Sequence, residues 1–311
     1  MGNGEHQILL IGAAGLDMKV QAKTLAIEPG KSNPGQIRWG WGGVARNIAE
    51  NLARLGVNVQ LITAVGDDNS GQQLLAHAHS VGIETDAAIV VEGEETAAYV
   101  GLYHLDDRLW VAFDDMQINH QITPGHLNRH RSLFKEAEMI CIDANLTPQA
   151  LQTVFRLARK YDVPVCADPT AALLAPRLKP FLDQVLALTP NRMEAEALLD
   201  KSLPNDDAIL HGARDLTKMG PKLAIITLGA AGLSYATTQE SGRLPAFKAD
   251  VVDPVGAGDA LTAAVVYGLL EDLPASEAVR LGLAGAAQTI ICKETVCPYL
   301  SLEVLYDRLI V

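Results

Sequence analysis

Short apolar runs recur along the chain, separated by longer stretches with a helical period. Ile8–Ile11, Val57–Thr63, Met139–Asp143, Val163–Ala167, Val185–Leu188 and Leu223–Leu228 are the strand candidates. Short apolar runs of this kind predict strands buried on both faces. Between them, Val44–Leu55, Gly71–Ser80, Thr147–Lys160, Asn191–Leu199 and Asp207–Met219 place apolar residues on one helical face. Strand and helix in alternation predict a mainly parallel sheet covered by helices on both sides. The last third is helical in pattern over Asp259–Leu270, Ala275–Cys292 and Ser301–Leu309.

Two segments break this rhythm. Residues 18–41 have no helical period and contain Pro29, Gly30, Pro34 and Gly35; residues 96–113 read as two strands around Asp106-Asp107, a hairpin signal. Both are expected to be β insertions that join into one small sheet, a lid over the active site. Its exposed face or edge is the expected surface of a homodimer. No tandem repeat, linker or low-complexity tract divides residues 1–311, so one α/β domain with this lid is expected.

Composition narrows the function. Hydrophobic residues make up 49% and charged residues 20% of the 311, enough for a large core. The net charge of -12 and the lack of a Lys/Arg block exclude a nucleic-acid partner, which needs a basic surface. No apolar run reaches the roughly 18 residues of a membrane helix. No basic residue precedes Ile8–Ile11, as a secretory leader would require. Cys141, Cys166, Cys292 and Cys297 form no C-x-x-C pair and are read as free thiols, which implies a reducing, cytoplasmic compartment. His126 and His130 lack a third ligand and are read as a solvated helix face.

No G-x-G-x-x-G is present, so the dinucleotide fingerprint is absent, and Gly30-Lys31-Ser32 lacks the P-loop's first glycine. The sharpest signal is Asp253-Pro-Val-Gly256-Ala257-Gly258-Asp259, with an expected strand over Ala249–Val252 before it and a helix starting near Asp259 after it. Small residues there leave amides open at a helix N-terminus, an anion site by geometry and dipole. The same dipole is expected to hold Asp259 ionised. A carboxylate beside an anion hole suits phosphoryl transfer from a nucleotide to a hydroxyl. The alternative is a glycine turn with Asp259 as a helix cap.

Four further groups lie after predicted strands or at helix starts. Gly42-Gly43 opens a helix with Asn47 one turn in: a sugar-diol contact, or loop punctuation. Asn191-x-x-Glu194 could lie near phosphates and hydrated Mg²⁺, but on spacing alone a capping box is the better reading. Thr227-Leu-Gly229-Ala-Ala-Gly232 is a nucleotide loop or a β-turn. Asp17 follows the first strand and either holds ribose hydroxyls or ends that strand. Carboxyl ends of parallel strands are where such sheets bind ligands.

Taken in order, Gly42-Gly43…Asn47, Asn191-x-x-Glu194, Thr227-x-Gly229 and Gly256-Ala-Gly-Asp259 resemble the ribokinase, or phosphofructokinase-B, family of sugar and nucleoside kinases over nearly the whole chain. The resemblance implies a ribokinase-like three-layer αβα sandwich with a small β lid. It implies Asp259 as catalytic base and Gly256, Ala257 and Gly258 as its anion hole. Asp17, Gly42, Gly43, Asn47 and Asn145 match the family's sugar contacts. Asn191, Thr227, Gly229 and Gly232 match its ATP contacts. Glu194 matches its water-mediated Mg²⁺ contact. Asp253 matches a site for a monovalent cation such as K⁺, although Pro254 stands where the family often has Thr. Ser32–Ile37, Gly42–Leu52 and Asp115–Ile118 resemble the pseudouridine kinases within that family. That likeness implies a ribosyl 5′-hydroxyl acceptor; Asn145, where ribokinases carry a carboxylate, argues against plain ribose. Ribose, fructose or another nucleoside is the alternative acceptor, and a non-catalytic binding relative the alternative role. For the base, Trp39, Trp41 and Tyr99 are expected to give contact area, and Asn33, Gln36 and Asn119 polar partners.

Overall fold

Ile8, Leu9, Leu10 and Ile11 are all fully buried and face alternate ways. Leu9 and Ile11 join one apolar cluster, Ile8 and Leu10 another, on the two faces of one sheet. A strand with no polar face needs cover on both sides, and this requirement organises the molecule.

The structure is a computed structural model and describes residues 6–24, 27–105 and 108–310. The chain opens with β1 (Gln7–Ile11), β2 (Gly15–Ala22), β3 (Gly35–Gly42), α1 (Val44–Arg54), β4 (Asn58–Ile62), β5 (Ala64–Gly66), α2 (Asn69–Ser80), β6 (Ile83–Glu84), β7 (Ile89–Val91), β8 (Ala98–Tyr103) and β9 (Leu109–Asp115). It continues through α3 (Pro124–Arg129), α4 (Arg131–Glu136), β10 (Met139–Asp143), α5 (Pro148–Tyr161), β11 (Val165–Asp168), β12 (Val185–Leu188), α6 (Arg192–Leu199) and α7 (Asp206–Lys218). Last come β13 (Leu223–Thr227), β14 (Leu233–Thr237), β15 (Ser241–Leu244), α8 (Ala257–Leu270), α9 (Ala275–Thr289) and α10 (Leu302–Ile310).

The large sheet has nine strands in the order β15-β14-β13-β12-β11-β10-β1-β4-β6. It is parallel from β6 to β13, with β14 and β15 antiparallel at one edge. Residues of α5, α6 and α7 pack in the cluster with Leu9 and Ile11; residues of α1, α8 and α9 pack in the cluster with Ile8 and Leu10. The result is an α/β layered fold with a mainly parallel central sheet, as the alternating pattern predicts. No helix among the described residues is long and apolar enough to cross a membrane.

The two insertions meet in a separate sheet of order β3-β2-β8-β9. Register gives its two faces different chemistry, because residues directly opposite share a face. Met18 pairs with Trp39 and Val100, and Val20 with Ile37 and Leu102; Val100 in turn faces Phe113, and Leu102 faces Val111. That face is apolar except for Asp115 at its end, opposite Ala98. The other carries Asp17, Lys19, Tyr99 and Asp114. The Asp106-Asp107 turn lies outside the described residues.

Four expectations are corrected. Ala249–Val252 is not a strand: the Val252 and Asp253 N–H groups donate to the Ile290 carbonyl rather than to a sheet, and Val251 and Val252 stay exposed. His126 is buried, its Nε2 meeting the Ala87 carbonyl at 2.8 Å, so that helix face is not solvated. Cys292 and Cys297 are disulfide-bonded, because the turn after α9 brings their Cα atoms to 5.5 Å; Cys141 and Cys166 are free and buried. Two of the four cysteines read as free thiols are therefore paired, and four free thiols do not mark a reducing compartment here. Asn33 caps its own turn through Glu28 instead of reaching a ligand.

Candidate functional site

The loops at the carboxyl ends of the parallel strands are gathered by one carboxylate. Asp143 ends β10 with no exposure to solvent. Its Oδ2 accepts from Ala13 N at 2.7 Å and Ala45 N at 3.1 Å, and its Oδ1 accepts from Asn145 N at 2.9 Å. Three segments, after β1, at the start of α1 and after β10, are thereby tied to one side chain. Gly43, the N-cap of α1, has φ 90°, and a Cβ there would lie 2.4 Å from the Ala13 carbonyl oxygen. Only glycine lets the two loops approach this closely. Asp143 was not singled out from sequence; a strand-ending Asp in an apolar run was its only signal.

A cavity of about 590 Å³ opens beside these loops. Asp17, Gly43, Asn47, Asn145 and Asp259 all line it. So do Tyr99, Asp114, Gln117, His120, Thr170 and Arg177, of which only Tyr99 was anticipated. Thr170 holds φ at 66°, a left-handed value uncommon for a β-branched residue, and its Oγ1 accepts from Ala144 N at 3.1 Å. Arg177 Nη1 reaches the carbonyls of Ala144 and Leu146 at 3.3 and 3.2 Å, bracing the loop that carries Asn145. Gly42 sits against Asp17.

Trp39 and Trp41 do not reach this cavity. They line a second one, of about 550 Å³, with Arg46, Glu50 and His77. Strand parity separates them from Tyr99: Asp17, not Met18, lies opposite Tyr99. Asn119 is buried against the Met116 carbonyl, and Gln36 lines a small separate crevice.

At the start of α8, Gly256 is the N-cap, with φ 85°, and no side chain caps the helix. Asp259 therefore lies inside the first turn and is not the cap. A Cβ on Gly258 would meet nothing within 4 Å, so the approach to this turn is open. Asp259 Oδ2 accepts from Asn47 Nδ2 at 2.7 Å. Burial pushes the Asp259 carboxyl up to about 7, helped by the Asp17 and Asp143 carboxylates and opposed by Asn47 and Arg46. Desolvation thus outweighs the helix dipole that was expected to keep it ionised.

Asn191 and Glu194 form a capping box: Asn191 Oδ1 accepts from Glu194 N at 3.0 Å, and Glu194 Oε2 accepts from Asn191 N at 2.8 Å. Glu194 is buried, and burial raises its carboxyl. Asp168, buried at the end of β11, is raised by burial and by the nearby Glu194 and Asp259 charges. Asn191, Thr227 and Gly229 line a cavity of about 480 Å³, while Gly232 packs its turn against Leu244. Asp253 Oδ2 meets Lys19 Nζ at 2.5 Å and its Oδ1 accepts from Val255 N. The chain's own ammonium occupies that carboxylate, so the donor set does not fit a monovalent cation there.

The profile of the pfkB family carbohydrate kinases matches residues 5–300. The pseudouridine kinase of Escherichia coli (strain K12) is 32% identical over 296 residues, covering 95% of this chain and 94% of that protein. The guanosine-inosine kinase of Exiguobacterium acetylicum is 27% identical, over 93% and 96% of the two chains. Among solved structures, Arabidopsis thaliana ribokinase complexed with ribose and ATP superposes with a TM-score of 0.85, at 22% identity, over 98% of this chain and 99% of that one.

Proposed function

Because the chain belongs to the pfkB family of carbohydrate kinases, we propose that it transfers the γ-phosphoryl group of ATP to the 5′-hydroxyl of a ribosyl substrate, and that this substrate is pseudouridine. The observation that carries the reading is Asp259, a carboxylate that lines the acceptor cavity from the first turn of an uncapped helix. Its pKa near 7 suits a general base at neutral pH.

Asp259 takes the proton of the acceptor hydroxyl as that oxygen bonds to the γ-phosphorus. The bond from phosphorus to the bridging oxygen breaks, and ADP leaves. The backbone amides of Gly258 and of Ala257, the latter on a long 3.4 Å bond to the Pro254 carbonyl, with Gly256 setting the turn, neutralise charge on the transferring group. Asp17, Gly42, Gly43, Asn47 and Asn145 hold the sugar. Asn191, Thr227, Gly229 and Gly232 shape the nucleotide's side. Burial raises the Asp168 and Glu194 carboxyls, so a hydrated Mg²⁺ carried in on the phosphates would favour their charged forms, and Glu194 would hold it through water. Such an ion supplies charge neutralisation to the phosphates.

Pseudouridine is favoured over bare sugar by two things. The relative at 32% identity is a pseudouridine kinase. The cavity also carries Tyr99 for stacking and Asp114, Gln117 and His120 for N–H and C=O groups of a base. Polar groups built to meet a base would stay unpaired with ribose alone. Coupled ADP release with pseudouridine, uridine, guanosine, ribose and fructose tests this. The highest kcat/KM is expected for pseudouridine. A better turnover of ribose or fructose removes the substrate assignment and leaves the kinase; no ADP release with any acceptor removes both.

The apolar outer face of the small sheet supports a homodimer formed through it. Ile37, Trp39 and Phe113 are each more than 60% exposed there, in one cross-strand patch. Sedimentation of Trp39→Lys, expected to be monomeric, tests it; a wild-type monomer overturns it.

A further inference from the structure

Asn47 has two chemically different ends, and only one can serve Asp259. Its Nδ2 donates to Asp259 Oδ2 at 2.7 Å; turned over, the side chain would set a carbonyl oxygen against a carboxylate. The neighbouring residue selects the orientation. Arg46 Nη1 donates to Asn47 Oδ1 at 2.7 Å and to the Trp41 carbonyl at 2.8 Å. A guanidinium offers donors only, so it accepts one orientation of the amide and rejects the other.

Arg46 is held in turn. Its Nη2 pairs with Glu50 Oε2, and Glu50 also meets Arg54 Nη2 at 2.5 Å and His77 Nε2 at 3.2 Å. Arg46, Glu50 and Arg54 are spaced four apart on α1, which puts them on one helix face. Arg46 and Glu50 are each 2% exposed. Taking both ions out of water is costly, and apolar side chains would fill the same space more cheaply. Stability is a poor reason for this pair to sit where it does.

From this we infer that Arg46 is a positioning residue for phosphoryl transfer: it locks the Asn47 amide so that Asn47 orients the Asp259 carboxylate, and Glu50 holds Arg46 in place. The inference rests on Asp259 being the base, as proposed above. The charge on Arg46 acts as well. Asp259 is faced by Asp17 from β2, Cys141 and Asp143 from β10, Asp168 from β11, and Arg46 and Asn47 from α1. The carboxylates favour its protonated form; Arg46 and Asn47 favour the charged one.

The test is steady-state kinetics across the acidic limb, using the acceptor the enzyme turns over best. Arg46→Gln can present either an oxygen or a nitrogen to Asn47. It is expected to lower kcat by about tenfold, to move the acidic limb to higher pH, and to leave KM for ATP unchanged. In an Asn47→Ala background the same change should add little further loss of kcat, because the amide that Arg46 locks is gone, while its charge still moves the limb. Arg46→Lys, cationic and donor-only, should recover most of the lost kcat and return the limb. If Arg46→Gln does not fold, Glu50→Gln is read in the same two backgrounds. A wild-type kcat and limb, or a loss that multiplies with that of Asn47→Ala, overturns the positioning role. Asp259→Asn in the same assay separates the two readings: if it keeps its turnover the base assignment fails, whereas if only Arg46→Gln behaves as wild type the positioning role alone fails.

Discussion

Lys19 and Asp253 are 234 residues apart and meet at 2.5 Å, joining the small sheet to the segment that leads into α8. Both side chains are largely shielded from solvent. Lys19 lies two residues from Asp17 on the same face of β2, so the ion pair ties the site-facing side of the sheet to the anion-hole turn. An exposed pair is worth about 1 kcal/mol, and removing one partner of a shielded pair such as this costs at least that much. Lys19→Met should therefore raise KM for the acceptor about fivefold; were the small sheet to act as the lid expected from sequence, more ADP would also be released per product formed, because a looser lid admits water. Equal ADP and product, with an unchanged KM, would show that the pair plays no part in closure.

Asp259→Asn keeps the shape of the side chain but cannot take the hydroxyl proton. Turnover should fall by about 10²–10⁴-fold, the usual size of a general-base contribution, with ATP affinity retained. Single-turnover measurements with ATP binding followed in parallel check both halves. A near-wild-type kcat would remove Asp259 from the mechanism.

The pH profile follows from the same residue. With its carboxyl raised to about 7, Asp259 keeps its proton in mildly acidic solution and is a base only above that pH. The value of kcat/KM should rise with pH through about 7 and then level off. Asn47→Ala removes a hydrogen bond to the charged form, so the rise should move to higher pH. A profile that is flat between about pH 5 and 8 would rule this base out.

Gly256 and Gly258 should respond to substitution in opposite ways. Gly256 has φ 85°, and a Cβ there would lie 1.9 Å from the Thr295 carbonyl oxygen. Gly256→Ala is expected to lower Tm, since backbone must move. Gly258 has no such strain and open space around it. Gly258→Val should leave Tm nearly unchanged and abolish ADP formation by filling the approach of the phosphoryl group. Calorimetry and the ADP assay on both variants check this; activity retained in a folded Gly258→Val would make the turn structural only.

The layered fold was legible because it is written in local periodicity. Ile8–Ile11 has no polar position, so its strand had to be covered twice, and the helix starts at Asn191 and Val44 follow from capping and apolar spacing near at hand. Ala249–Val252 carries the same apolar signal yet forms no strand, because a strand exists only where a neighbour offers its hydrogen bonds, and here Ile290 takes them singly. Tyr99 could not be told from Trp39 by composition, since strand parity gives two faces without saying which one meets the core. The roles of Asp143 and Arg46 were hidden for a related reason. Their partners, Ala13 and Ala45 for one and the Asn47–Asp259 pair for the other, come together only when β1, α1, β10 and α8 are packed. The sequence by itself determined the strands and helices of the central layers and put Asp259 beside a glycine turn. The tertiary structure alone decided its protonation, because the cost of a charge is set by how much water the surrounding segments remove, and those segments are remote in the chain.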